Sequence, residues 1–130
     1  MEPIHREATT STPTIHFDPV QHVLQISGES YPENAIAYYA PLIDALSTYL
    51  GEPAANLTIK LNVRYLNTSS VKSLMDIFDI ADEAHRRGQT VEVYWYHDID
   101  DDRSLQIAEE FSEDLTLPFH TEALSNGNTV

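Results

Sequence analysis

Leu57-Thr58-Ile59-Lys60-Leu61-Asn62-Val63-Arg64-Tyr65 decides the fold. Large apolar or aromatic side chains at 57, 59, 61, 63 and 65 alternate strictly with polar ones at 58, 60, 62 and 64. Successive side chains of a strand point to opposite faces, so this strand has one dry face and one wet face. A doubly wound parallel sheet buries both faces of its central strands, which then read as continuous apolar runs. This segment does not read that way. Its sheet is expected to be open on one side.

Upstream, Ile15 and Phe17 alternate with Thr14 and His16, and Asp18-Pro19 marks a turn. Val23-Leu24-Gln25-Ile26 forms a second short strand closed by Ser27-Gly28, and the two make an antiparallel hairpin. Tyr31-Pro32-Glu33-Asn34 opens a helix, because proline is tolerated in a first helical turn. Ile36, Tyr39, Ile43, Leu46 and Leu50 follow at helical spacing, and Gly51-Glu52-Pro53 ends the run.

Downstream, Asn67-Thr68-Ser69-Ser70 is a dense set of helix-capping residues. Val71, Leu74, Met75, Phe78 and Ala81 give the buried stripe of a second helix, with Asp76, Asp79, Asp82 and Glu83 largely off it. Asp82–Arg86 and Glu83–Arg87 are i,i+4 pairs on its wet side, and Arg86-Arg87-Gly88 ends it. Val91, Val93 and Trp95 alternate with Glu92, Tyr94 and Tyr96 in another one-sided strand. Asp98 to Asp102 cap a third helix through Leu105, Ala108, Phe111 and Leu115, and Leu117 to Thr121 make a last edge strand. The order is β-β-α-β-α-β-α-β. Right-handed crossovers running in one direction place every helix on the same side. The expected fold is α/β: a mostly parallel sheet with an antiparallel N-terminal hairpin and helices on one face. One domain is expected over residues 14–124, after a loose lead-in of 1–13 and before a polar tail of 125–130.

Composition removes several functions. The 130 residues carry 21 acids against 7 Lys and Arg, a net charge of −14, so there is no basic stripe for nucleic acid. There is no cysteine, which excludes disulfides, thiol catalysis and thiolate metal sites. No apolar run approaches the ~20 residues of a membrane span, so no direct membrane insertion is expected. Met1 to Arg6 shows no basic segment followed by an apolar one, and the expected location is the cytoplasm. Residues 76–114 hold 13 acids and 3 bases, most of which read as solvated helix faces.

Catalytic and metal patterns are weak. From Asp98 a calcium loop would find acids at positions 1, 3 and 5, but Arg103 stands where the sharp turn needs glycine. A calcium-responsive module built on Asp98, Asp100 and Asp102 is therefore the weakest of the functional readings. The six histidines include no helical zinc pair, and there is no nucleotide-binding glycine loop or nucleophile elbow. Neither a catalytic residue nor a metal or cofactor is expected. What remains is Asn67-Thr68-Ser69-Ser70. Capping uses one or two of these residues, and the others lie past the C-terminal end of the most regular strand, where functional groups of α/β sheets gather. A phosphate there would add about −1.5 to −2 charge at a helix N-terminus that tolerates an anion.

Ser30-Tyr31-Pro32-Glu33-Asn34, Tyr65-Leu66-Asn67-Thr68-Ser69-Ser70, Met75-Asp76-Ile77 and Glu109-Glu110-Phe111 resemble the signature segments of the SiaC-type bacterial regulatory phosphoproteins, over roughly residues 11–122. The resemblance implies a STAS-like (SpoIIAA-like) β-α superhelix, as in anti-sigma-factor antagonists, and no enzymatic activity. It implies partner switching. The unphosphorylated form binds and activates a diguanylate cyclase, promoting cyclic-di-GMP signalling and biofilm formation. A protein kinase of the histidine-kinase-like ATPase fold phosphorylates a threonine, and a PP2C-like phosphatase reverses it. By motif that threonine is Thr68, with Ser69 and Ser70 as lesser candidates.

The expected docking face surrounds Thr68. It takes Tyr31, Pro32, Glu33 and Asn34 at the same sheet edge, Asn67, Ser69 and Ser70 beside the threonine, and Lys72, Asp76, Ile77 and Ile80 along the helix. Ile77 and Ile80 are expected to offer exposed apolar contact, and the free chain is expected to be a monomer. The alternative is an adaptor of the anti-sigma-factor-antagonist type that sequesters a kinase or anti-sigma protein to control transcription.

Overall fold

The computed structural model describes residues 1–125. Residues 126–130, most of the expected tail, lie outside the described residues. Six strands form one sheet in chain order: β1 (Ile4–Arg6), β2 (Thr14–Asp18), β3 (Val23–Ser30), β4 (Leu57–Leu66), β5 (Val91–Asp98) and β6 (Phe119–Leu124). β1, β2 and β3 pair antiparallel, and β3 through β6 pair parallel. Helices α1 (Ala35–Leu50), α2 (Thr68–Arg86) and α3 (Asp102–Ser112) fill the crossovers. Among the described residues no helix is long and apolar enough to cross a membrane.

The alternation in β4 has the expected consequence. Leu57, Ile59, Leu61 and Val63 are buried, while Thr58, Lys60 and Asn62 are only half-buried. β5 repeats the pattern with Val91, Val93 and Trp95 inside. On the other face the register aligns His5, His16, Gln25, Lys60, Tyr94 and His120 in one polar row across all six strands.

Three local readings change. Residues 4–6 are a paired strand and not loose lead-in, because Arg6 ties them down. Its Nη1 donates to the Tyr38 carbonyl at 2.9 Å, and its guanidinium lies 4.9 Å from the Tyr38 ring centroid. β3 continues past Gly28 to Ser30. Gly28 takes φ 116° and the register shifts between Gly28 and Glu29, so this glycine makes a bulge where a stop was expected. α1 begins only after Asn34, whose Oδ1 accepts from the Ala37 N–H at 3.1 Å, and it contains Pro41. That proline cannot donate to the carbonyl one turn back.

Two helices are rotated relative to their expected stripes. α1 buries Tyr39, Leu42, Leu46 and Leu50 but leaves Ile36 61% exposed. α2 buries Leu74, Ile77, Phe78, Ala81 and Ala84 and turns Met75 outward at 49% exposure. Ile77 is therefore core, not exposed docking surface, and Ile80 is half-buried. The cause is that α2 packs against both α1 and the sheet, which widens its buried arc.

Asp82 is the largest departure from a solvated helix face. Its side chain is fully buried. Oδ1 accepts from the Thr116 and Leu117 N–H groups at 2.7 and 2.8 Å and from the Thr116 hydroxyl at 3.0 Å. Oδ2 accepts from Arg86 Nη2 at 2.7 Å. Burial alone would raise this carboxyl, but Arg86 and the Thr116 and Leu117 donors outweigh it and hold it below the usual value of 3.8. The depressed carboxyl adds stability above that pH and loses it as pH falls toward the folded value. Asp82→Asn is expected to destabilise by about 2–4 kcal/mol in urea at neutral pH. The gap from wild type should close as pH drops below 3.8. A gap independent of pH would show that the carboxylate charge is not the stabilising element.

Candidate functional site

The C-terminal ends of β3 and β4 lie side by side, with Ser30 paired to Leu66. Each strand then enters a helix, so the Tyr31–Asn34 loop and the start of α2 meet at one sheet edge. Asn67 joins them. Its N–H donates to the Ser30 carbonyl at 3.1 Å, and its Nδ2 donates to the Pro32 carbonyl at 3.1 Å. Its Oδ1 accepts from the Ser70 N–H at 3.0 Å and caps α2. The Ser69 hydroxyl also reaches Oδ1, at 3.4 Å.

Beneath Asn67 runs a buried line of hydroxyls. Ser70 Oγ is 2.8 Å from Ser30 Oγ, which is 2.6 Å from the Tyr39 hydroxyl. All three side chains belong to fully buried residues. Burial pushes the Tyr39 phenol up to about 12, against a smaller lowering by its Ser30 hydrogen bond. The phenol stays protonated, and every group in the line has a hydrogen-bonding partner. The line ties α1 and α2 to the end of β3. Above it, the Tyr31 and Tyr65 rings meet edge to face with centroids 5.3 Å apart.

Thr68 is the first residue of α2 and is exposed. With the Asn67 side chain committed to Ser70, the N–H groups of Thr68 and Ser69 point out of the helix without intrahelical partners. No acidic side chain lies in this first turn. The local field at the Thr68 hydroxyl is thus positive in an acidic chain.

The other expected site residues divide. Glu33, Asn34, Lys72 and Asp76 are exposed, and Tyr31, Asn67 and Ser69 are half-buried. Pro32 and Ser70 are buried, which corrects their expected role as contacts. Pro32 serves through its carbonyl, and Ser70 is sealed by the hydroxyl line beneath the cap. The acidic 98–102 turn supplies the α3 cap, with Asp101 Oδ1 accepting from the Ser104 N–H at 3.0 Å. Among the described residues no cluster of His, Asp and Glu is placed to hold a metal ion. Sequence reasoning missed Ser30, whose partner Ser70 lies 40 residues along the chain, and Tyr39, which read only as part of a buried helix stripe. It also missed a groove of about 280 Å³ between α2 and α3, floored by Val71, Met75, Ile107 and Phe111.

The site is thus a capped helix start with an exposed threonine, where β4 of a one-faced α/β sheet enters α2. Residues 6–124 match the model of the SiaC family regulatory phosphoproteins. The chain is 39% identical over 123 residues to an uncharacterized protein of Pseudomonas aeruginosa (strain UCBPP-PA14), covering 95% of this chain and 98% of that one. Its fold superposes on apo-SiaC from Pseudomonas aeruginosa with a TM-score of 0.90 at 38% identity, covering 95% of this chain and 100% of that one. It matches equally, at TM-score 0.90 and 39% identity, a chain of the crystal structure of diguanylate cyclase SiaD in complex with its activator SiaC from the same organism. That match covers 93% of this chain and 99% of the other. The chain belongs to the SiaC family of regulatory phosphoproteins.

The geometry separates neighbouring hydroxyls. Thr68→Glu is expected to change stability by no more than about 0.5 kcal/mol, as for an exposed residue at a favourable helix end. Ser70→Glu buries a charge in the hydroxyl line and should cost more than about 4 kcal/mol or prevent folding. Thermal unfolding of both variants checks this, and equal losses would contradict the burial difference.

Proposed function

We propose that this chain is a non-enzymatic partner-switching regulator whose unphosphorylated form binds and activates a diguanylate cyclase in the cytoplasm. Phosphorylation of Thr68 by a kinase of the histidine-kinase-like ATPase fold releases the cyclase, and a PP2C-like phosphatase restores binding. The observation that carries the reading is the accessible Thr68 hydroxyl at the start of α2, in a chain superposing on a known cyclase activator.

The physical basis is a charge switch on a rigid surface. The capped edge holds α2 in place whether or not Thr68 is modified, because its hydroxyl takes no part in the Asn67 and Ser70 hydrogen bonds. The phosphate adds about −1.5 to −2 charge without a structural penalty. It lies on a helix that already exposes Asp76 and Asp79. An acidic or apolar partner surface there is repelled or left with a desolvation cost. A shift of about 3 kcal/mol corresponds to roughly 150-fold in affinity, at the upper end of ordinary regulatory couplings.

Thr68→Ala should bind the cyclase like wild type and resist the kinase. Thr68→Glu, and wild type phosphorylated at Thr68, should bind about 100-fold more weakly and fail to stimulate cyclic-di-GMP synthesis. Calorimetry and a cyclase assay read both. Undiminished binding by the phosphorylated protein would overturn the switch, and co-purification with an anti-sigma-type regulator instead of a cyclase would favour the transcriptional alternative.

A further inference from the structure

The helix layer is not closed between α2 and α3. α2 packs closely on α1, whereas α3 takes its main contacts from β4, β5 and β6. α3 buries only Ser104 and Ala108 and leaves Ile107 and Phe111 half-buried, as is Leu115 just beyond its end. Facing them on α2, Val71 is half-buried and Met75 is 49% exposed. These five apolar side chains line the groove of about 280 Å³. Val71, Met75 and Asp79 fall at i, i+4 and i+8, so the α2 wall runs for about 12 Å along one face.

The charge on this groove has one sign. Asp79, Glu110 and Asp114 line it, and no Lys or Arg does. None of the three has an ion-pair partner among the described residues. α2 and α3 both cross over between parallel strands, so they run in the same direction and bring Asp79 and Asp114 to the same end of the groove. The Asp79 carboxyl is raised, first by partial burial and then by Asp76 and Asp82, with Asp114 adding to it and Arg86 opposing.

The end of α3 sharpens the imbalance. A helix C-terminus favours cations. The last turn of α3 holds Glu109 and Glu110 and no basic residue, and Glu113 is its C-cap. Carboxylates thus crowd a helix end whose own dipole repels them. A positive group seated in the groove relieves both repulsions at once.

We propose that the α2–α3 groove seats a basic amphipathic segment of the cyclase, apolar side chains on its floor and Lys or Arg among Asp79, Glu110 and Asp114. The proposal rests on the cyclase-binding reading and names the chemistry of the cyclase surface that fits. An apolar floor with charge on its rim is the form of site that takes an amphipathic segment, and a flexible Met75 adapts to the side chains laid on it. The other occupants fit poorly. A second copy of this chain brings a further net charge of −14 and the same acidic rim. An anionic lipid surface meets the same repulsion. The groove attraction is also separate from the phosphate proposed for Thr68. Asp79 lies about 16 Å from Thr68 along α2, about twice the screening length of about 8 Å at physiological salt. The phosphate therefore acts on contacts at the Thr68 edge and leaves the basic residues at the Asp79–Asp114 end in place.

The test uses the full chain and a purified diguanylate cyclase, with binding read by calorimetry at low and high salt. Asp79→Lys with Asp114→Lys reverses the rim at two exposed positions. The pair relieves the crowding, so its melting temperature should equal or exceed that of wild type. It is expected to weaken cyclase binding about tenfold or more and to flatten the salt dependence. Asp44→Lys with Glu52→Lys makes the same change in net charge at exposed positions away from the groove and should stay within about threefold of wild type. Met75→Ser should weaken binding about fivefold with the salt dependence unchanged. Binding by the Asp79–Asp114 pair within about twofold of wild type would overturn the groove and leave the cyclase reading standing. An equal loss in the Asp44–Glu52 pair would also overturn it, since bulk charge would then be the cause. If the Asp79–Asp114 pair is impaired while phosphorylation of Thr68 leaves binding unchanged, the groove holds and the switch fails. Wild type that does not bind the cyclase at all would overturn both.

Discussion

The side-chain amide of Asn67 is the constraint on which the edge depends. One end of it caps α2, and the other holds the carbonyl of Pro32. The asparagine amide offers an acceptor and a donor on one planar group, and its side chain is short enough to cap its own helix. The amide therefore fixes the Tyr31–Asn34 loop against the first turn of α2. The Ser30–Ser70–Tyr39 hydroxyls lock the same junction from below. The phosphate proposed for Thr68 would meet a surface already held in place by groups that do not include its own hydroxyl.

Rigidity here suits signalling by charge. A phosphate that had to reorganise the helix start would lose part of its effect to local disorder. On a fixed edge its field acts on whatever is docked. Buried or paired charges, such as Asp82 with Arg86, hold elements together.

Much of this was legible in the sequence where a signal is local and periodic. The strict alternation through Leu57–Val63 and Val91–Trp95 fixed the one-faced sheet, and both strands keep that pattern. A helix start capped from within Asn67–Ser70 followed from residue type, while the choice of Asn67 as the cap came from the fold. The phase of α2 was not legible. Val71, Leu74, Met75 and Phe78 make as good a helical stripe as Leu74, Ile77, Phe78 and Ala81, and only tertiary packing chooses between them. Asp82 read as solvated because its partners, Thr116 and Leu117, lie 34 and 35 residues away. Ser70 looked like its hydroxyl neighbours for the same reason, since its partner Ser30 is 40 residues distant. Ile4–Arg6 was too short to show a period at all. Local pattern decided elements; long-range hydrogen bonds decided which polar residues went inside.

The sheet is ordered as the chain is ordered, and each strand's neighbours in the sheet are its neighbours in sequence. A strand leaving the ribosome finds its partner already made and never waits for one still unsynthesised. Growth of the domain can be vectorial, each β-α unit docking on a completed template. The last strand to arrive, β6, is an edge, so a delayed C-terminus leaves a nearly finished sheet behind it and not a gap at its centre.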